Sequence, residues 1–316
     1  MNVELMQGEV MMNQSSTSEE GMYELAGALG DNYEVVPHKS DNYLNGVSTI
    51  DLVQIQRHIL TIDKFDSPYK VIAADANNDG RVNGIDLVTL RKLILGITPD
   101  LPNGQLPWRF PTEAQSFDDI DSPFPFTEII GVNELPASIE DQNFVAVKVG
   151  DVNADAVVNL RDEETDIRSG SRLTLEVADQ GLVEGTVADV TVTAQDMEDV
   201  IGFQTTWSFN ADVIRFSGVT AEGLDVTEAN LGLAHLDDGY ITFSWNTTEG
   251  VTVEDFRNLF TLHFEVLESA NLSEQLFLSS VMTKSEAYNW RLGDNGACAG
   301  LSRHRSGRVC SLPEHT

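Results

Sequence analysis

Two stretches of the chain repeat apolar residues at helical spacing, and a longer one alternates them at every second position. After Asp86, Leu87, Leu90, Leu93 and Ile94 recur with the period of one helix face. Gly96 and Pro99 stop that segment. The run Asp51-Leu52-Val53-Gln54-Ile55-Gln56-Arg57-His58-Ile59-Leu60 repeats the pattern 35 residues earlier (86 − 51), with Asp, Leu, Val, Ile and Leu in common. Between the copies, Ser67 and Pro68 read as the N-cap and first residue of a short helix. From Arg172 to about Asn289 the alternation is that of strands, at 173–177, 187–193, 202–209, 240–245, 259–266 and 275–278. Turn signals such as Asn210-Ala211-Asp212 and Asp237-Asp238-Gly239 separate them. Strands at this density predict a β-sandwich. Stretches 3–6, 21–26 and 32–37 near the N-terminus, and 144–149, also read as strands. Phe203, Trp207 and Phe209 share one strand face, which predicts core rather than a sugar platform, and Trp245 reads as buried or half-buried.

The turn leading into the later helix is D-A-N-N-D-G-R-V-N-G-I-D. Oxygen-bearing side chains stand at positions 1, 3, 5, 9 and 12: Asp75, Asn77, Asp79, Asn83 and Asp86. Gly80 fills position 6, where an EF-hand loop turns sharply, and Arg81 at position 7 offers its backbone carbonyl. Calcium takes six to eight oxygens, and this spacing wraps oxygens around a point. The matching turn before the earlier helix is one residue short. Asp41, Asn45 and Asp51 remain as weaker candidates there, but Tyr43 replaces the position-3 oxygen. Asp151, Asn153, Asp155, Asn159 and Asp162 repeat positions 1, 3, 5, 9 and 12 once more, with Ala156 in place of the glycine. That stretch reads as a third loop, as a donor of Asp151 and Asn153 to the degenerate first loop, or as an acidic turn.

The paired loop-and-helix copies, with Asp-Leu opening each helix, resemble the type I dockerin repeat over about residues 41–96. The resemblance implies Ca2+ as the bound ion and a cohesin-like domain as partner. The helices would present Ser48, Thr49, Gln56, Arg57, Arg91 and Lys92 to it, though these also read as ordinary solvated helix positions. G-F-Q-T-T-W-S-F-N-A-D-V-I-R-F and L-F-T-L-H-F-E-V resemble the cohesin and carbohydrate-binding jelly-roll superfamily. E-G-M-Y-E-L and D-N-Y-E-V-V-P resemble the last strands of immunoglobulin-like or prealbumin-like surface repeats. The expected fold class is therefore multidomain: a small all-α, EF-hand-like dockerin domain plus an all-β sandwich, with a partial N-terminal β repeat. The expected boundaries are 1–38 for the repeat, 39–97 for the dockerin domain, 98–162 for an extension, 163–171 for a linker, 172–290 for the sandwich and 291–316 for an atypical tail.

Composition narrows the function. The chain has 316 residues and a net charge of −32, from 51 acids against 19 Lys and Arg. Nucleic-acid binding needs a basic footprint and is excluded. No apolar run approaches the length of a membrane span. The start has no basic region followed by an apolar core, so no signal peptide is read; with half a β repeat at the N-terminus, a fragment of a longer secreted protein is expected. Residues 97–150 interleave prolines with Trp108, Phe110, Phe117, Phe124, Phe126 and Phe144, which predicts an ordered flap against the helices. The tail turns basic and holds both cysteines, Cys298 and Cys310. It reads as foreign to the sandwich, or else as a loop closed by a disulfide. No G-x-S-x-G, H-E-x-x-H or Walker pattern is present, and the chain reads as non-catalytic. The expectation is a calcium-binding, extracellular or cell-surface interaction module linked to polysaccharide degradation or surface assembly. The alternative is a carbohydrate-binding accessory of a secreted glycosidase or adhesin, with polysaccharide as partner.

Overall fold

The computed structural model describes residues 1–136, 138–157 and 173–289, with the backbone of 298–300 and 308–309. Its chain forms two compact units. One holds Met1–Val47, Arg57–Leu90 and Asp100–Glu163; the other holds Ser48–Gln56, Arg91–Pro99 and Glu164–Thr316.

The first unit opens with strands β1 (Asn2–Gln7), β2 (Val10–Ser16) and β3 (Tyr33–His38). Helices α1 (Thr49–Ile59), α2 (Pro68–Ala74) and α3 (Gly84–Ile94) follow. Short strands β4 (Trp108–Arg109), β5 (Ile130–Val132) and β6 (Val147–Lys148) come next. The N-terminal sheet runs β2-β1-β3-β5, all antiparallel, over a core of Val3, Leu5, Tyr33, Val35 and Val132. The strand expected at 21–26 is absent. Tyr23 and Leu25 pack on this core from an irregular segment, the Tyr23 hydroxyl donates to the Gln142 carbonyl, and β5 takes the free edge of β3. Pairing across such a distance in sequence is invisible to local alternation.

Ser67 caps α2 by accepting from the Tyr69 N–H at 3.3 Å, with Pro68 at its start. The Pro- and aromatic-rich stretch packs on the helical part of this unit. Phe117 meets Tyr69 edge-on with centroids 5.7 Å apart, and Lys64 pairs with Asp121.

In the second unit, β7 (Thr174–Ala178), β8 (Gly181–Leu182), β9 (Val187–Gln195), β10 (Val200–Phe209) and β11 (Ile214–Ala221) open a sandwich. It continues through β12 (Leu231–Gly232), β13 (Tyr240–Val251), β14 (Asn258–Val266), β15 (Ala270–Asn271), β16 (Leu276–Ser279) and β17 (Glu286–Asn289). Two further strands, β18 (Cys298–Gly300) and β19 (Arg308–Val309), lie in the tail. One sheet runs β12-β13-β10-β17-β18, with β16 also on β10; the other runs β11-β14-β9-β7-β19. The tail adds one strand to each sheet, Cys298 opposite Tyr288 and Val309 opposite Val177. A Cys298–Cys310 disulfide and the expected linker at 163–171 lie outside the described residues.

Phe203, Trp207, Phe209 and Trp245 are buried between the sheets, as their alternation predicts. Phe203 stacks on Phe243 at 5.0 Å, and Phe243 on Phe260 at 5.1 Å. These rings face the core. His263, which the alternation places toward solvent, is partly covered and bonds Asp189 and Thr220 at 2.8 and 2.7 Å.

Candidate functional site

The loop before α3 folds around its own backbone N–H groups. Asp75 accepts from Asp79 N–H at 3.1 Å and from Gly80 N–H at 3.0 Å. Asn77 Oδ1 accepts from Asp79 N–H at 3.0 Å, and its amide donates to Asp79 at 3.1 Å. Gly80 has φ +78°, the left-handed turn its position requires. Asp86 Oδ1 accepts from Ala76 and Asn77 N–H at 3.0 and 3.2 Å, and its Oδ2 accepts from Asn83 N–H at 2.9 Å. Asn83 Oδ1 accepts from Ile85 N–H at 2.8 Å. Arg109 braces the loop from outside: it donates to Asn78 at 2.9 Å and forks onto Glu128.

Burial, only partly offset by backbone N–H groups and, for Asp75, by Arg109, disfavours the ionised carboxylate. It raises the pKa of Asp75 above the ordinary carboxylate value, and pushes that of Asp86 up to about 6. A dication between these groups would supply the missing charge. Among the described residues no three His, Cys, Asp or Glu side chains converge as a ready cluster, because the loop's acids are turned onto backbone N–H groups.

The stretch from Asp151 repeats four bonds of this turn. Asp151 accepts from Asp155 N–H at 3.3 Å and from Ala156 N–H at 2.9 Å. Asn153 Oδ1 accepts from Asp155 N–H at 3.2 Å, and its amide donates to Asp155 at 3.1 Å. Asp151 too is raised above the ordinary value by burial. Asn159 and Asp162 lie outside the described residues. The repeat is stitched to the degenerate first loop. Asn45 accepts from Val157 N–H at 3.0 Å and donates to the Val157 carbonyl at 2.8 Å. A Cβ on Gly46 would stand 2.7 Å from Ala156. Asp41 pairs instead with Lys39 at 2.8 Å, which lowers its pKa, and its side chain stays exposed. The buried Lys148, which the sequence did not single out, donates to the Tyr43 carbonyl at 2.9 Å.

A second surface lies within the sandwich unit. Outward residues of β10 and β13 stand in register as Gly202 opposite Asn246, Gln204 opposite Ser244 and Thr206 opposite Thr242. Polar residues on the outer face of a sandwich normally meet water, yet Gln204, Thr242 and Ser244 are buried. They are covered by the first turns of α1 and the last turn of α3. Thr49 donates its N–H and hydroxyl to Gln204 at 2.7 and 2.8 Å, and its hydroxyl meets that of Ser244 at 2.8 Å. Asn246 donates to Gln56 at 2.8 Å and accepts from Arg91. Ile50 and Val53 pack with Ile201 and Tyr288.

Helix ends explain this chemistry. The first N–H groups and last carbonyls of a helix lack partners within it. At the end of α3, Gly96 takes φ +64°, and N–H groups of Leu95, Gly96 and Ile97 satisfy the carbonyls of Arg91, Leu93 and Lys92. The carbonyls of Ile94 and Leu95 remain, and accept from Thr283 and Thr242 hydroxyls at 2.7 and 2.6 Å. Gly232 is required beside them, since a Cβ there would stand 2.2 Å from the Leu95 carbonyl.

Of the six residues read as partner-facing, Thr49, Gln56 and Arg91 converge here. Ser48 donates instead to Asp51 at 2.9 Å from its N–H, Arg57 faces Asp63 at 4.0 Å, and Lys92 is exposed. Sequence alone missed Gln204, Thr242, Ser244, Asn246 and Thr283; the first three alternate with core residues as a solvent face would.

Residues 45–95 match the family model of the dockerin type I domain. No curated protein matches the chain. Among solved structures, the seventh ScaB type I cohesin from Pseudobacteroides cellulosolvens aligns at 12% identity and TM-score 0.32, over 46% of this chain and 96% of that one. The second type II cohesin module from the ScaA scaffoldin of Acetivibrio cellulolyticus aligns at 16% identity and TM-score 0.31, over 46% and 99%. A type I cohesin–dockerin complex from Clostridium thermocellum contains a chain that aligns at 14% identity and TM-score 0.32, over 48% and 100%.

Proposed function

We propose that this chain, which carries a dockerin type I domain at residues 45–95, is a calcium-holding, non-catalytic interaction module that recognises a cohesin-like β-sandwich. The observation that carries the reading is the loop from Asp75 to Asp86, which has oxygens at five EF-hand positions, turns at a left-handed Gly80 and holds Asp75 and Asp86 buried with raised pKa. Asp75, Asn77, Asp79, the Arg81 carbonyl, Asn83 and Asp86 are its ligand set, and Ca2+ is the ion. Asp151, Asn153 and Asp155 serve a second ion by replacing the front half of the first loop. They repeat the bonds made by Asp75, Asn77 and Asp79, and the Asn45–Val157 pair joins them just ahead of Val47, the counterpart of Val82. Asp41 takes no part, being held by Lys39.

The recognition residues are Thr49, Gln56 and Arg91, whose partners on a sandwich are uncharged hydrogen-bonding groups. The setting is an extracellular assembly acting on polysaccharide, which the dockerin family implies. Among the described residues no helix is long and apolar enough to cross a membrane.

Titration calorimetry of the full chain with calcium, alongside thermal unfolding in calcium and in EDTA, tests the reading. Saturable binding with a raised melting temperature supports it; absence of both overturns it.

A further inference from the structure

We infer that the cohesin-like surface recognised by the helices is the one on this same chain: the β10–β13 face is a seat for a helix pair, and the chain fills it with its own α1 and α3. This rests on the recognition reading above and names its partner.

Three features make the contact a fitted seat rather than incidental packing. Each outward residue of β13 from Thr242 to Asn246 bonds a helical group: Thr242 the Leu95 carbonyl, Ser244 the Thr49 hydroxyl, Asn246 the side chains of Gln56 and Arg91. Helix ends are served as well: Gln204 on β10 accepts from the helix-initial N–H of Thr49, and the hydroxyls of Thr242 on β13 and of nearby Thr283 donate to the carbonyls of Leu95 and Ile94, which a smooth apolar face could not do. Gly202 and Gly232 then let the helices close on the sheet, because a Cβ on Gly202 would stand 2.9 Å from the Thr49 methyl. The groups the face presents to the helices are the uncharged side chains of Gln204, Thr242, Ser244 and Asn246, so the ligand class it fits is a helix pair with one free N-terminus and one free C-terminus side by side.

Joining both halves in one chain makes their association intramolecular, which raises the effective concentration of the helices at the seat without any new contact. A foreign partner must therefore displace the chain's own segment, and the chain is self-engaged at rest. The same seat, once vacated, accepts the helices of a second copy.

Complementation between two full-length variants tests this. Thr49→Arg spoils the helix side and leaves the seat open; Ser244→Arg blocks the seat and leaves the helices intact. Sedimentation velocity should show the parent chain, and each variant alone, at the monomer mass of 34.7 kDa across a concentration series. An equimolar mixture of the variants should double that mass, because the helices of one enter the seat of the other. A parent chain that dimerises with concentration overturns the inference, and so does a mixture that stays monomeric while both variants keep the parent near-ultraviolet circular dichroism. If either variant loses that signal, Arg91→Glu and Thr242→Arg replace them in the same design. Calcium calorimetry on the same samples separates the two readings. Calcium bound without heterodimer removes only the seat, whereas heterodimer without calcium binding removes only the metal reading.

Discussion

Thr49 gives both its N–H and its hydroxyl to one acceptor, Oε1 of Gln204, at 2.7 and 2.8 Å, and both residues are buried. The pair joins the start of a helix to the outer face of a sheet far along the chain. It also supplies the partner that the first N–H of α1 cannot find within its own helix.

Gln204→Leu keeps the volume and removes the acceptor. Two buried donors on Thr49 lose it, and leaving a buried donor unmade costs about 1–3 kcal/mol. Chemical denaturation should show a loss of about that size. The double variant Gln204→Leu with Thr49→Ala should be less destabilised than the two single losses summed, since the groups act as one unit.

Trp207 is fully buried in the sandwich core. Trp207→Ala should cost about 3–5 kcal/mol by opening a cavity. Trp207→Phe should cost clearly less, because it leaves a smaller void and removes an indole N–H that has no partner among the described residues. Equal losses for the two variants would show that the indole packing is not what this position contributes.

Calcium linkage separates the three acidic turns. An ion bound only by the folded chain adds about 2.7 kcal/mol at 100 times its dissociation constant. Asp75→Ala should remove the increment of the loop from Asp75 to Asp86, and Asp151→Ala an increment of similar size. Asp41→Ala should leave calcium binding at the parent level, because that carboxylate pairs with Lys39. Calorimetric stoichiometry on the three variants checks the order. A loss at Asp41 with none at Asp151 would place the second ion in the first loop alone.

The pH response follows from Asp86. Its pKa rises on folding from 3.8 to about 6, so the folded chain holds the proton more tightly than the unfolded one. Without metal, this contribution to stability is full below the ordinary carboxylate value and is lost as pH rises toward 6. EDTA-treated protein should therefore gain less from Asp86 at pH 7 than at pH 4. Asp86→Asn should flatten that difference in denaturation series at both pH values. With calcium present the sign reverses, and binding should weaken as pH falls through about 6.

Local chemistry made much of the chain legible. The spacing of Asp75, Asn77, Asp79, Asn83 and Asp86 around Gly80 needs only neighbours in sequence, so the loop and the helix after it were readable from the residues. Strict alternation at 202–209 and 240–245 placed Phe203, Trp207, Phe209 and Trp245 inside the sandwich for the same reason. The strand at 21–26 was misread because β3 found its partner at Ile130–Val132, a pairing that local alternation does not encode. The seat was hidden for a related reason. Gln204, Thr242 and Ser244 have the composition of a wet face, and only tertiary structure reveals the helix ends that cover them. The repeat shows the limit most plainly. Ile50 and Ile85, and likewise Val53 and Val88, occupy equivalent positions in two helices of one pattern. Ile50 and Val53 are buried beside Ile201 and Tyr288, whereas Ile85 and Val88 are 59% and 54% exposed. Sequence determined that both copies carry an apolar pair at the helix start. Which copy is covered was decided by the fold, because burial depends on the surface brought against a residue and the repeat encodes only the residue.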